Sequence, residues 1–202
     1  KLGLVEQENS SGRYGLGPLA LQLGLISLQQ YEPVRLATPR IEELALQLGH
    51  TVAITVWGNR GPTIVRVAEA PSPVHISMRH GTVMSLSGTA SGRLFAAHLP
   101  RATVLAALAA EAVFEGAAAP RRIDASLEAL REQVRQDGIA SSHDGVVAGV
   151  SALAAPVFDD QGRIALSLTA IGPSGSFDLR PQGLLVPALK RAGADLSRQL
   201  GW

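Results

Sequence analysis

The first part of the chain contains two short strand patterns, separated by a polar run, and then a strongly apolar helical pattern. Lys1 to Glu6 and Arg13 to Leu16 are typical of short strands, and the polar run from Gln7 to Gly12 separates them. They predict a hairpin that has no core of its own. Pro18 to Gln30 then follows with helical spacing, and its proline suits a first turn, where a missing N–H does no harm.

The helix predicted from Pro18 to Gln30 is apolar on two faces and carries no charged side chain. One stripe contains Leu19, Leu23 and Ile26, and the other contains Leu21, Leu25 and Leu28. Such a helix cannot rest one face on a core and leave the other in water. We expect the second face to be buried in another subunit; the alternative is a helix internal to a larger core.

The next segment changes from helical to strand periodicity. An apolar face, formed by Ile41, Leu44, Ala45 and Leu48, predicts a helix that ends at Gly49, with Thr38-Pro39 as its start or as a kink. Two β-rich runs, 51–57 and 63–69, are joined by a Gly-Asn-Arg-Gly-Pro turn signal. A third strand is expected over Val74 to Met78.

The rest of the chain alternates helices with a second pair of strands. Helical patterns cover 89–98, 102–111, 125–136 and 181–200, and strand patterns cover 152–159 and 163–171 around a tight turn. Ala117 to Pro120 is expected to be a loop. Helix, strands, helices, strands and helix together predict an α+β domain with a largely antiparallel sheet.

Composition narrows the class of protein. A chain of 202 residues, 46% of them hydrophobic, suits one core with a short appendage. The uncharged stretch from Gly15 to Tyr31 is interrupted by Pro18 and Gly24 and is too short to span a bilayer, so no membrane partner is expected. The absence of cysteine excludes disulfides and thiolate chemistry, and we take the cytoplasm as the location.

Charge and candidate chemistry favour neither a nucleic-acid surface nor an enzyme. The net charge is +1 and the arginines are dispersed. Gly88 to Gly92 lacks the G-x-S-x-G form of a nucleophile elbow and the lysine of a phosphate loop. The five histidines lack zinc spacing, and His143-Asp144 has no third partner. We therefore expect no catalytic residue, no metal and no cofactor.

A set of short motifs gives the chain a family resemblance. In order, they are Gly-Arg-Tyr-Gly-Leu-Gly at 12–17, Gly-Thr-Val-Met at 81–84, Ser-Gly-Thr-Ala-Ser-Gly-Arg at 87–93, Leu-Ala-Ala-Pro-Val-Phe-Asp at 153–159 and Ile-Gly-Pro at 171–173. Over almost its whole length the chain resembles the IclR family of bacterial transcriptional regulators. The resemblance implies a winged helix-turn-helix, a linker helix and a GAF/PAS-like (profilin-like) effector-binding domain.

The resemblance assigns a role to each part of the chain. Residues 1–17 are expected to be the wing of a winged helix whose recognition helix lies before Lys1, 18–32 the linker helix, and 33–202 the effector-binding domain. The expected partners are a small organic effector, DNA through that missing domain, and further copies in a homodimer or homotetramer. The alternative is a free-standing GAF-like ligand- or chromophore-binding module without DNA function, because a cysteine-based GAF enzyme is excluded by composition.

The resemblance also implies an effector pocket beside the helix that begins near Thr89. The expected ligand-binding residues are Ile76, Met84, Thr89, Ala90, Ser91, Ser142, Val150, Ala152, Thr169 and Ile171. The first N–H groups of a helix attract anions, so the polar end of the effector is expected at 89–91; the alternative is that Ser87 or Thr89 only caps the helix. Ser142, Ala152 and Ile171 replace acidic or polar residues of other members, which favours a hydrophobic or aromatic acid.

Overall fold

A computed structural model of the chain describes residues 2–71, 76, 78–114 and 123–202. The strands are β1 (Val5–Gln7), β2 (Tyr14–Leu16), β3 (Thr51–Gly58), β4 (Gly61–Ala68), β5 (Ala140–His143), β6 (Val150–Phe158) and β7 (Ile164–Pro173). The helices are α1 (Pro18–Gln30), α2 (Glu32–Leu48), α3 (Ala90–His98), α4 (Arg101–Phe114), α5 (Ala125–Asp137) and α6 (Leu185–Gln199). Within the described ranges no helix combines the length and the apolar character needed to cross a membrane.

The N-terminal hairpin and the first helix lie outside the core. β1 and β2 pair antiparallel and are exposed, which confirms the predicted hairpin. α1 has the predicted bounds, and none of its residues is buried within this chain. Its leucines at 21, 23 and 25 are 50 to 66% exposed. The alternative of a helix internal to a larger core is therefore wrong for this chain.

The second helix begins earlier than the sequence suggests. α2 contains Pro39 in its interior, so Thr38-Pro39 marks neither its start nor its end. A proline there removes one backbone hydrogen bond, and the Thr38 hydroxyl donates to the carbonyl of Val34 at 2.7 Å. The helix ends as expected at Gly49, in the left-handed region at φ 68°. Tyr31, in an extended conformation, separates α1 from α2.

Five antiparallel strands form the central sheet in the order β4-β3-β7-β6-β5. Side chains alternate between its two faces. One face packs Val52, Ile54, Leu153 and Leu168 against α2 and α6. The other face packs small residues, including Ala152 and Ala154, under α3 and α5. This arrangement confirms the predicted α+β class with an antiparallel sheet.

Helix α3 is fixed at both ends over the second face of the sheet. Its C-terminal carbonyls accept hydrogen bonds from two arginines of α5: Arg131 Nε donates to Ala96 at 2.6 Å, and Arg135 Nη1 donates to Ala97 at 2.9 Å. At its start, Thr89 caps the helix. Because α3 is held in this way, its N-terminus has a fixed position above the sheet.

One strand was not predicted, and two expectations about local structure fall largely or wholly outside the described residues. The edge strand β5 was missed by the sequence analysis, which predicted no strand over Ala140–His143. The expected strand over Val74 to Met78 falls largely outside the described residues, and Ile76 and Met78, which are described, belong to no strand. The expected loop at Ala117 to Pro120 also lies outside the described residues.

Candidate ligand-binding site

A cavity of about 420 Å³ lies between the start of α3, the uncovered end of the sheet face beside it, and two loops. The first loop contributes Ile76 and residues 78–85, and the second runs through 144–149. The first is attached to the sheet, since the Ile64 N–H donates to the Thr82 carbonyl at 3.0 Å and the Met84 N–H donates to Pro62 at 2.7 Å. The lining consists of Ile64, Ile76, Met78, Arg79, Thr82, Val83, Met84, Ser85, Gly88, Thr89, Ser142, Gly145, Val146, Val147, Val150, Ala152 and Ile171.

Most of the predicted site residues meet at this cavity. Its lining includes Ile76, Met84, Thr89, Ser142, Val150, Ala152 and Ile171. The pairing of β5, β6 and β7 explains the sheet positions, because Ser142 lies opposite Ala152 and Ala152 lies opposite Ile171. The structure does not bring the other three expected residues, Ala90, Ser91 and Thr169, into the lining.

The hydroxyl groups at the start of α3 are already engaged. Thr89 Oγ1 donates to the Ser85 carbonyl at 2.8 Å and accepts from the Gly92 N–H at 3.0 Å. The Ser91 hydroxyl is buried and bonds to Thr169 Oγ1 at 2.8 Å. Thr89 therefore acts as the helix cap, which the sequence analysis kept as an alternative to a ligand donor, and Ser91 joins the helix to the sheet.

Arg93 joins two walls of the cavity. Its Nε donates to the Ser87 carbonyl at 2.9 Å, in the loop before α3, and its Nη1 donates to the Ser141 carbonyl at 2.7 Å, on the edge strand β5. Burial lowers the pKa of Arg93, although the guanidinium stays charged at physiological pH. The neighbour of Ser141, Ser142, lines the cavity, so this arginine sets the distance between the helix start and the edge strand.

The loop at 144–149 covers one side of the cavity with two exposed valines, Val146 and Val147. Asp144, at a positive φ of 49°, closes the loop: Oδ1 accepts from the Gly149 N–H at 2.9 Å and from the Ser174 hydroxyl at 2.7 Å. The Ser174 hydrogen bond contributes most to lowering the pKa of Asp144. The carboxylate thus acts in closing a loop and is not among the lining residues.

The lining offers groups for binding a molecule. Its described residues are mainly apolar, with hydroxyl groups at 82, 85, 89 and 142 and one charged side chain, that of Arg79. None of the described lining residues is a histidine, a lysine, a cysteine or an acidic residue, so these residues do not assemble a nucleophile–base pair. Within the described ranges, no cluster of histidine, aspartate and glutamate could hold a metal ion.

The family model described as "Bacterial transcriptional regulator IclR C-terminal" matches residues 26–198. The chain belongs to the IclR family. Among curated relatives, the glycerol operon regulatory proteins of Streptomyces griseus and Streptomyces coelicolor are 32% and 29% identical to it, with 98% of this chain and 78% of each relative covered.

Solved structures show the same relationship. HmgR of Pseudomonas aeruginosa is 34% identical, with a TM-score of 0.77 over 99% of this chain and 79% of that one. The inducer-binding domain of PobR from Acinetobacter, solved as a complex of a double mutant with 3-hydroxybenzoic acid, is 18% identical with a TM-score of 0.65 over 81% of this chain and 96% of that one, and shows the fold alone. The expected family, fold and regulatory function are confirmed, and the free-standing module is not favoured.

The sequence analysis of this IclR chain missed one cavity residue on β4, Ile64, and most of those that lie outside strands and helices. The latter are Met78, Arg79, Thr82, Val83, Ser85, Gly88, Gly145, Val146 and Val147. One signal for the second loop was present in the sequence, since two adjacent valines lie between Gly145 and Gly149 without a helical or strand pattern around them. The first loop carried no comparable signal, because Arg79 is one of many dispersed arginines.

Proposed function

We propose that the cavity at the start of α3 is the effector site of this regulator and that its effector is a small organic acid with a hydrophobic or aromatic body. The observation that carries the proposal is the mainly apolar lining of the cavity with its few polar groups, a combination common in small-molecule sites. The cavity volume of about 420 Å³ also lies in the range of roughly 300 to 1,000 Å³ common for such sites.

The lining also argues against a very small polar effector. Ala152 and Ile171 present apolar surface from the sheet, and Ser142 is a neutral hydroxyl. A polyol or a short hydroxy acid would place several oxygen atoms against these walls without partners, at a cost of about 1 to 3 kcal/mol for each buried group. The relatives named for a glycerol operon therefore do not by themselves suggest glycerol as the effector here.

The route from effector to DNA is part of the same proposal. We assign residues 1–17 to the wing, 18–32 to the linker helix and 33–202 to the effector-binding domain. The exposed leucines of α1 would pair copies into a homodimer or homotetramer, since none of them is covered within this chain. Effector binding would change how the paired copies are arranged relative to each other, and this change would alter the affinity for an operator. A regulator that acts on DNA also supports a cytoplasmic location.

A calorimetric panel tests the effector site. Matched aliphatic and aromatic monocarboxylic acids are titrated into the wild-type chain and into Ala152→Leu, whose added carbons would occupy the cavity. Aromatic acids should bind the wild type, and the variant should lose at least about tenfold in affinity, or roughly 1.4 kcal/mol.

The matched control is Ala194→Phe, on an exposed position of α6 outside the cavity, which should bind like the wild type. Thermal unfolding of each variant checks that the fold is intact. Binding restricted to short aliphatic acids would refute the proposed class of effector, and unchanged binding in Ala152→Leu would refute this cavity as the site.

A further inference from the structure

Arg79 is the charged residue in the lining of the cavity, and its exposure places it where the cavity opens to solvent. Other arginines of the chain already hold a carboxylate: Arg40 pairs with Glu43 at 2.6 Å, and Arg101 pairs with Glu128 at 2.8 Å. Within the part of the chain that the structure describes, Arg79 has no such ion pair. Its guanidinium is therefore available to an anion that arrives from solvent.

The start of α3, where the sequence analysis placed the acid group, is less able to receive it. The Thr89 hydroxyl already donates to Ser85 and accepts from Gly92. Ala90 and Ser91 are buried and outside the lining. A carboxylate entering the cavity would also leave water for mainly apolar walls, which is costly unless a cation or several donors meet it.

We propose that Arg79 binds the acid group of the effector at the mouth of the cavity and so selects monoanions that carry an apolar body. This inference rests on the proposed function of the cavity. A guanidinium offers two parallel N–H donors that match a carboxylate, and the bond strengthens where water is partly excluded. A neutral analogue would lose that bond. A dianion would bring a second charge against walls whose described residues offer no second cation.

The test compares acids with their neutral amides. Benzoate, phenylacetate and 3-hydroxybenzoate, and the three corresponding amides, are titrated calorimetrically into the wild-type chain, Arg79→Gln, Arg79→Lys and Arg191→Gln. Arg191 is an exposed arginine of α6 outside the cavity lining and serves as the matched control. Because Arg79 is exposed and makes no ion pair among described residues, the variants should keep the wild-type melting temperature.

The expected result is that the wild type binds at least one acid ten times or more tightly than its amide. Arg79→Gln should remove that preference while leaving the amide affinity unchanged, and Arg79→Lys should restore part of it, because lysine keeps the charge but not the fork. Arg191→Gln should behave as the wild type does. Higher salt should weaken only the acids.

Two failures are distinguishable. If Ala152→Leu abolishes binding of the acids but Arg79→Gln does not weaken it, the cavity is the site and the assignment to Arg79 is overturned. If both variants bind as the wild type does, the cavity itself is not the effector site. Binding of amides as tightly as acids, or of no acid at all, would overturn selection for a monoanion.

Discussion

Ser91 on α3 and Thr169 on β7 share a hydrogen bond of 2.8 Å between their hydroxyl oxygens, at a buried contact of helix and sheet. Thr169 Oγ1 also bonds to the hydroxyl of Ser167 at 2.8 Å. Three buried hydroxyls thus satisfy one another where the helix crosses the sheet. Their arrangement fixes the position of α3, and with it the end of the cavity that α3 forms.

A substitution at this contact should affect stability more than effector affinity. Thr169→Val removes the central hydroxyl and leaves those of Ser91 and Ser167 buried without it, so we expect a loss of about 1 to 3 kcal/mol in the free energy of unfolding. Urea denaturation measures it. Ser91→Ala, which leaves Thr169 bonded to Ser167, should cost less, and the double variant shows the coupling. Loss of effector binding with unchanged stability would show instead that these hydroxyls contact the ligand.

How far the fold follows from sequence depends on the length and regularity of each pattern. α1 has its predicted bounds because Pro18 sets a start and leucine and isoleucine residues recur at helical spacing as far as Leu28. β5 was missed because Ala140–His143 is four residues long and carries two serines. Only its hydrogen bonds to β6 make it a strand. Pro39 could be a start or a kink, and the burial of Val34 and Ala37 shows that the helix extends before it.

The residues of the candidate site also differ in how far they could be predicted from the sequence. Ser142, Ala152 and Ile171 were placed by the family resemblance, and the strand pairing that brings the three side chains together is visible only in the structure. Arg79 and Val146 lie in loops, where no period indicates the direction of a side chain. The involvement of Ser91 with Thr169 could not be foreseen either, because it depends on which strand passes beneath α3.

Charged substitutions on α1 should dissociate the assembly. Leu23 and Leu25 are about half exposed in this chain; since full burial of a leucine contributes about 1.5 to 3 kcal/mol, burial of the exposed half of each in a partner would contribute about 1 kcal/mol. Leu23→Glu and Leu25→Glu together should convert oligomers into monomers at micromolar concentration, measured by light scattering. Gln22→Glu, on the same helix, is the control and should stay oligomeric. A monomeric wild-type chain would count against the proposed pairing.

Acid should destabilise the protein through His98. Burial, and then the charge of Arg135, lowers the pKa of His98 to about 4, while an unfolded histidine titrates near 6.5. Between these pH values His98 is protonated in the unfolded chain but not in the folded chain. Its contribution to the free energy of unfolding is therefore fully present above pH 6.5 and decreases as the pH drops toward 4. One pKa unit corresponds to about 1.4 kcal/mol, and partial exposure reduces the effect, so we expect a loss of about 2 kcal/mol.

A variant without this titration tests that assignment. His98→Phe keeps an aromatic ring beside Phe158, whose ring centre lies 5.1 Å away, and should flatten the dependence of the unfolding free energy on pH between 6.5 and 4. Burial also lowers the pKa of His50, so a smaller slope should persist. His80→Gln, at an exposed position, should retain the full slope. An equal slope in wild type and His98→Phe would exclude His98 as its origin.

The close approach of two glycines should make one loop sensitive to a single methyl group. A Cβ at Gly145 would overlap the carbonyl oxygen of Gly88, whereas a Cβ at Gly175 meets nothing within 4 Å. Gly145→Ala should push Val146 and Val147 away from the start of α3 and weaken effector binding severalfold in calorimetry. Gly175→Ala should not change it. Unaltered affinity in Gly145→Ala would show that this loop does not close on the ligand.

Arg93 provides the last prediction, because its two bonds join elements that no backbone hydrogen bond connects directly in the described structure: the loop at Ser87 and the edge strand at Ser141. Arg93→Met should let these walls separate, so effector affinity should fall about tenfold, or roughly 1.4 kcal/mol. Arg93→Lys keeps the charge but cannot reach both carbonyls with a planar fork, so it should resemble Arg93→Met. If lysine restores full affinity, the charge matters and not the bridge; if both variants bind normally, the walls are held by other contacts.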